Sequence, residues 1–290
     1  MQAYLHPRFI VAITSKRRIH VSALSKLVFA VLCVFMALLP LSALSEPGKI
    51  GIVIMHGKAG SPSKHVTPLA KALEKQGYLV ANIEMPWSGK RNYDVSTAAA
   101  EAEVEAALAS LRSKGAEKVF VSGHSQGGGF ALHFGGKHQV DGIICIAPGG
   151  NISDRSPVYN KFLAPSIAQA QKLVSEGKGE KKTSLKDYEA SKGTYSIKTI
   201  PSAYLSWFDP NGAMSLFRAA KQMNPQTPVL WMVAEKDYPQ LKTVNAQIYP
   251  NLPRNPLSHS FEPKSDHLGA PKAAIEEIVR WTREVATATN

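Results

Sequence analysis

Val119-Phe120-Val121-Ser122-Gly123-His124-Ser125-Gln126-Gly127-Gly128 decides the reading of this chain. Its first residues are apolar and β-branched, the mark of a buried strand. Its last residues open a small-residue helical pattern that runs to His138. Between them lies G-x-S-x-G. Set between a strand and a helix, that motif forms a nucleophile elbow, a turn tight enough to lift a serine hydroxyl above the end of a sheet. Gly123 and Gly127 leave room for strand and helix to pass closely. The Ser125 backbone is expected at positive φ, at a cost of about 1–3 kcal/mol.

Working outward, Lys49 to Met55 and Tyr78 to Ile83 read as short buried strands. Ser63 to Gln76 and Thr97 to Lys114 carry helical spacing, each stopped by a glycine. Lys118 to Ser122 is the strand under the elbow. Gly142 to Ala147 and Pro228 to Ala234 are further apolar strands, Ser258 to Phe261 is a weaker one, and Pro271 to Ala286 is an amphipathic helix. Strands apolar on both faces and alternating with helices predict an α/β fold. Its central sheet is mostly parallel, of about six strands, with helices on both faces. Asn151 to Pro225 interrupts the alternation and shows no obvious buried strand. Lys172 to Lys198 is lysine-rich and reads as solvated helix and loop. Residues 151–225 therefore read as a mainly helical cap inserted into one domain, 46–290.

The first 45 residues read differently. Arg8, Lys16, Arg17, Arg18 and Lys26 are basic, no acid precedes Glu46, and Leu27 to Leu44 is apolar but for Pro40 and Ser42. Ala43-Leu44-Ser45 supplies small residues for a signal peptidase. The pattern predicts a signal peptide and an exported protein, periplasmic or secreted. The alternative is an inner-membrane anchor through 27–44, although about 18 residues is marginal for a span. Arg17-Arg18 fits a twin-arginine signal poorly. Five of the 34 Lys and Arg residues and none of the 22 acids lie in this segment, so the formal charge of +12 falls to +7 without it. No basic block alternates with aromatics, so nucleic acid is not an expected partner. Membrane contact is expected only through the N-terminal segment. Beyond that segment Cys145 is the one cysteine and can form no internal disulfide. It reads as a small buried hydrophobe.

A serine hydroxyl needs a base to take its proton, and the base needs an orienting carboxylate. Asp237, in Ala234-Glu235-Lys236-Asp237, follows the strand that ends near Val233 and lies on the same rim as the elbow. Glu235 is its nearest rival, and Asp209 is better placed as a turn or helix cap. After Asp237 only His259 and His267 remain. His259 falls inside the weak strand. His267 falls in a loop able to carry an imidazole back over the serine. Negative charge developing on a carbonyl needs two donors. One is the N–H of Gln126, next to the nucleophile. The other comes from His56-Gly57-Lys58-Ala59, with Lys58 first choice and Ala59 second. His56 reads as a loop-shaping residue, and His124 as a neighbour of the nucleophile that transfers no proton.

With these residues placed in the order Ser, Asp, His, the chain resembles the α/β-hydrolase fold superfamily. Gly123-His124-Ser125-Gln126-Gly127-Gly128 is similar to the elbow of bacterial lipases and esterases. The resemblance implies an eight-stranded type of sheet, a Ser125–His267–Asp237 triad, hydrolysis through an acyl-enzyme, no cofactor or metal, and a cap over the site at 151–225. Two features depart from it. The first one or two strands are missing, and Lys58 is unusual beside an oxyanion site. Its ammonium is expected to face solvent or to favour an anionic substrate. The expected activity is cleavage of a small-molecule carboxylic ester. A thioesterase, amidase or peptidase on the same triad is the alternative, followed by a non-catalytic binding protein on a hydrolase scaffold. Tyr204, Trp207 and Phe208 are candidates for a pocket lining, with core packing the simpler role.

Overall fold

Six short strands pair in parallel in the order β2-β1-β3-β4-β7-β8. In the computed structural model, which describes residues 48–150, 152, 157–189 and 192–288, they are β1 (Ile50–Met55), β2 (Leu79–Ile83), β3 (Lys118–His124), β4 (Gly142–Ile146), β7 (Val229–Met232) and β8 (His259–Phe261). Between β4 and β7 in the chain, β5 (Thr183–Glu189) and β6 (Gly193–Thr199) form a separate antiparallel hairpin. Alternate residues of the parallel strands enter two cores. Val53, Met55, Val119 and Val121 face one layer; Ile50, Ile52, Ile54 and Phe120 face the other. The first layer is covered by α2 (Thr97–Ser113), through Val104, Leu108 and Leu111, and by α3 (Gln126–Gly135), through Phe130 and Phe134. The second is covered by α1 (Thr67–Lys75), through Leu69 and Leu73, and by the C-terminal helix. Burying each such side chain contributes about 1.5–3 kcal/mol. Apolarity on both faces, not alternation, made these strands legible.

The strand order reverses beside β1. From β1 the chain steps one way to β2, then returns to β3 on the other side and continues to β4. The helices that follow β1 and β3 therefore cover opposite faces of the sheet, and such a reversal of strand order is where ligands bind in open α/β sheets. The register keeps those ends level: Met55 pairs with Gly123, Gly123 with Cys145, and Ile146 with Met232. Cys145 is fully buried, and burial pushes its thiol pKa up, consistent with a packing role.

At the elbow, β3 and α3 cross in near contact. A Cβ on Gly123 would stand 2.1 Å from the backbone C and O of Gly127. One on Gly127 would stand 2.6 Å from the Met55 carbonyl oxygen. Only hydrogen fits at either position.

The segment read as a cap holds α4 (Pro157–Ser175), the β5–β6 hairpin, α5 (Pro201–Phe208) and α6 (Leu216–Gln222). The hairpin corrects the reading of Lys172 to Lys198 as helix and loop. Leu185 and Asp187 on β5, and Ile197 and Thr199 on β6, point inward and are buried, while Ser184, Lys186, Ser196 and Lys198 are exposed. This polar-out alternation passed for solvated chain because only two of the inward residues are apolar. Tyr204, Trp207 and Phe208 are fully buried in core packing; the Trp207 ring meets those of Trp87 and Phe130 at 5.5 and 5.3 Å. After β7 come α7 (Pro239–Ile248) and a 3₁₀ turn, Tyr249–Asn251. The expected helix from Pro271 is split at Ala274 into α8 (Ala270–Ala273) and α9 (Ile275–Ala288). The N-terminal segment read as a signal or anchor lies outside the described residues. Among those described, no helix is long and apolar enough to cross a membrane.

Gly123→Ala is expected to lower the unfolding midpoint sharply or abolish soluble protein, because the crowding atoms are backbone. Gly89→Ala is the control, since a Cβ there meets nothing within 4 Å. Thermal unfolding of both variants decides it: equal midpoints would contradict the crossing geometry.

Candidate active site

Ser125 caps α3 with φ 53° and ψ −118°. Three hydrogen bonds hold it there. Its N–H donates to the Ile146 carbonyl at 2.9 Å, and its own carbonyl accepts from Gly129 N–H at 3.1 Å and Gly149 N–H at 2.9 Å. Among the described residues the non-glycine positions with positive φ are Ala59, Asn92, Tyr93, Ser125 and Ala147. All lie beyond the C-terminal ends of β1 to β4. Such strain persists only where surrounding contacts over-determine it, and it clusters at functional sites.

The two residues expected as acid and base come together from the far side of the sheet. Beyond β7, Lys236 pairs with Asp266 as an isolated parallel bridge, and the Lys236 N–H donates to the Ser265 carbonyl at 2.9 Å. One residue further along each segment stand Asp237 and His267, both buried. His267 Nδ1 lies 2.8 Å from Asp237 Oδ1, which also accepts the Tyr238 N–H at 2.7 Å. A carboxylate can only accept, so Nδ1 carries a proton and donates it to Asp237, which leaves Nε2 as the nitrogen not engaged with the carboxylate. The rivals lie elsewhere: Glu235 is exposed, Asp209 caps a turn through Asn211 N–H, and exposed His259 pairs with Glu277.

His124 fixes where His267 sits. Its Nε2 is 2.8 Å from the His267 carbonyl oxygen, and the two rings lie 4.8 Å apart. Burial first, and then the neighbouring His267, push the His124 pKa down to about 3. The ring is therefore neutral and must donate from Nε2 to satisfy that carbonyl. The residue before Ser125 thus ties the main chain of position 267 to the elbow. Tyr238, half exposed, covers His267 from outside at 4.9 Å between rings.

The loop after β1 runs against the elbow, where a Cβ on Gly57 would lie 3.1 Å from Ser125 Cβ. His56 shapes this loop. Its Nε2 accepts the Met85 N–H at 3.0 Å, so its proton is on Nδ1 and is donated to the Gly57 carbonyl at 2.8 Å. Ala59 donates its N–H to the Trp87 carbonyl at 2.9 Å, which removes it as a donor to substrate. The Lys58 side chain overturns both expectations made for it. Its Nζ lies 2.7 Å from Asp187 Oδ1 and 3.1 Å from the Tyr188 carbonyl, a buried ion pair with the cap hairpin. Gln126 is the first residue of α3, where N–H groups have no intrahelical acceptor and carry the positive end of the helix dipole. Its buried side-chain Oε1 accepts from Tyr93 OH at 3.2 Å. The sequence reading missed Asp187 and Tyr93. The inward alternation of β5 was the one signal for the first. Among the described residues, no group of three His, Cys, Asp or Glu is set to hold a metal.

A histidine with its pKa depressed in the folded state keeps its full stability contribution above the unfolded value near 6.5. That contribution falls as acid charges the unfolded chain. Urea unfolding between pH 7 and 5 should therefore show stability falling with pH, by up to about 1.4 kcal/mol per unit from His124. His124→Gln, which keeps a donor, should flatten the slope; an unchanged slope would contradict a neutral His124.

Comparison with known proteins gives the family. The family described as serine aminopeptidase, S33, matches residues 47–255. No curated protein matches the chain. Among solved structures, a monoacylglycerol lipase from Paleococcus ferrophilus is 20% identical with a TM-score of 0.55, covering 83% of this chain and 95% of its own. A structure from work on LipS and LipT, two metagenome-derived lipolytic enzymes, is 17% identical with a TM-score of 0.54, covering 84% and 95%. The α/β hydrolase GrgF from Penicillium sp. sh18 is 12% identical with a TM-score of 0.60, covering 84% and 92%. These similarities are of fold. With the family matched over most of its length, this chain belongs to the serine aminopeptidase S33 family of the α/β-hydrolase superfamily and is a hydrolase.

Proposed function

We propose that this hydrolase cleaves carboxylic esters through an acyl-enzyme on Ser125. His267 Nε2 takes the Ser125 proton as Oγ attacks the substrate carbonyl. The N–H groups of Gln126 and Lys58 receive the oxyanion, and Asp237 holds the imidazolium in place. His267 then returns the proton to the leaving alcohol. Water, deprotonated by the same nitrogen, releases the acid. The observation that carries this reading is the buried 2.8 Å His267–Asp237 hydrogen bond on the rim that bears strained Ser125.

The surroundings of the serine oxygen favour an ester with an apolar acyl group. A methyl on Gly149 would lie 3.3 Å from Ser125 Oγ and 3.6 and 3.7 Å from the two Leu241 methyls. Hydrocarbon therefore walls this side. The family's description favours a second reading, an aminopeptidase. Such an enzyme seats the substrate ammonium on a carboxylate. The two buried aspartates tied to the elbow residues, Asp237 and Asp187, are already engaged with His267 and Lys58. That argues for the ester. The basic leader and apolar run before Glu46 support export, with the mature N-terminus as its check by mass spectrometry.

Ser125→Ala should lower turnover of p-nitrophenyl butyrate by about 10⁴-fold or more with the fold intact. Activity within tenfold of wild type would remove Ser125 as nucleophile. Gly149→Ala should cost branched or long acyl esters about tenfold more in kcat/KM than acetate, since one methyl in a pocket discriminates on that scale. Equal losses across acyl groups would place the acyl chain elsewhere.

A further inference from the structure

We propose that Asp187, on the cap hairpin, is a positioning residue that fastens both residues expected to donate to the oxyanion. This rests on the ester-hydrolase reading above and extends it to a residue outside the triad. Asp187 is fully buried. A carboxylate in that setting costs several kcal/mol unless it is paired and hydrogen-bonded, and here four donors surround it. Oδ1 accepts from Lys58 Nζ at 2.7 Å and from the Tyr188 N–H at 2.7 Å. Oδ2 accepts from Tyr195 OH at 2.8 Å and from Tyr93 OH at 3.2 Å. Two of these contacts lead to the elbow. Lys58 follows Gly57, which packs on Ser125, so anchoring its ammonium fixes the loop whose N–H is the second donor. Tyr93 OH shares its one proton between Asp187 Oδ2 and Gln126 Oε1, each at 3.2 Å, and so links the carboxylate to the first donor's residue.

The backbone around Tyr93 gives an independent observation. Asn92 and Tyr93 are consecutive non-glycine residues at φ 49° and 57°. Left-handed conformations at two such positions cost about 1–3 kcal/mol each. The surroundings enforce them. The Tyr93 N–H donates to the Pro86 carbonyl, its carbonyl accepts from Thr199 Oγ1 of β6 at 2.7 Å, and its ring packs on Phe208 at 5.0 Å. The hairpin therefore grips Tyr93 at its main chain through β6 and at its hydroxyl through β5. What the strain achieves is the aim of one phenol at Asp187 and Gln126.

Charge balance fits the same role. A bare carboxylate near a developing oxyanion would oppose it. Paired with Lys58, Asp187 adds geometry to the site without adding a net field. Precise donor placement matters because one oxyanion donor is worth about 10²–10³ in rate.

Tyr93→Phe and Asp187→Asn test the proposal with p-nitrophenyl butyrate and an alkyl boronic acid that mimics the tetrahedral adduct. The phenylalanine keeps the ring packing and the ion pair but cuts the link to Gln126. Tyr93→Phe should lower kcat about tenfold, and Asp187→Asn about 10²-fold, with KM within about threefold in each. Boronic acid affinity should fall in step with kcat. A merely structural role would lower the folded fraction and leave the ratio of boronate affinity to KM unchanged. If Tyr93→Phe keeps both kcat and boronate affinity, the proposal is overturned, whether or not Asp187→Asn folds. A loss confined to KM overturns it equally. Wild-type turnover and its loss in Ser125→Ala report separately on the ester-hydrolase reading.

Discussion

The near-contact crossing of β3 and α3 is the constraint on which the rest depends. Strand and helix meet where Gly123 and Gly127 leave no space for a side chain. The chain must then turn within one residue, and that residue is Ser125 at positive φ. The turn places Ser125 at the N-cap of α3, next to the first N–H groups of the helix. The glycines, the strain and the helix dipole are one geometric solution.

Parallel register then brings the other parts to that point. Strand ends at Met55, Gly123, Ile146 and Met232 are level, so the loops that follow share one rim. Residues more than a hundred positions apart meet without any long-range signal in the sequence. The Lys236–Asp266 bridge carries the register past β7 and puts the next residues, Asp237 and His267, within hydrogen-bond reach. His124 adds a tie between base and elbow by donating from Nε2 to the His267 carbonyl, and burial holds its pKa well below the usual histidine range.

Much of this was legible in the sequence, for physical reasons. Doubly buried parallel strands are runs of Ile, Val and Phe, and they stand out against any background. The elbow stands out because a strained turn and a close crossing demand glycine at fixed spacing. Asp237 and His267 follow from the short supply of rivals after the last strong strand. The cap hairpin was missed because a strand with one wet face and an aspartate among its inward residues looks like solvated loop. The Lys58 partner was invisible for a different reason: Asp187 lies 129 residues away, and nothing local in either segment announces the other. Lys58 therefore looked like a surface or substrate-facing charge. It is an internal strut between the cap and the loop after β1.

The proposed mechanism requires an imidazole held by Asp237 to make one hydroxyl unusually reactive. Labelling of the folded protein with a fluorophosphonate, followed by mass spectrometry of its peptides, addresses it directly. The mechanism predicts one adduct per chain, on the peptide that contains Ser125, and slower labelling when Asp237→Asn loosens the base. An unlabelled chain, or an adduct on another serine, would contradict it.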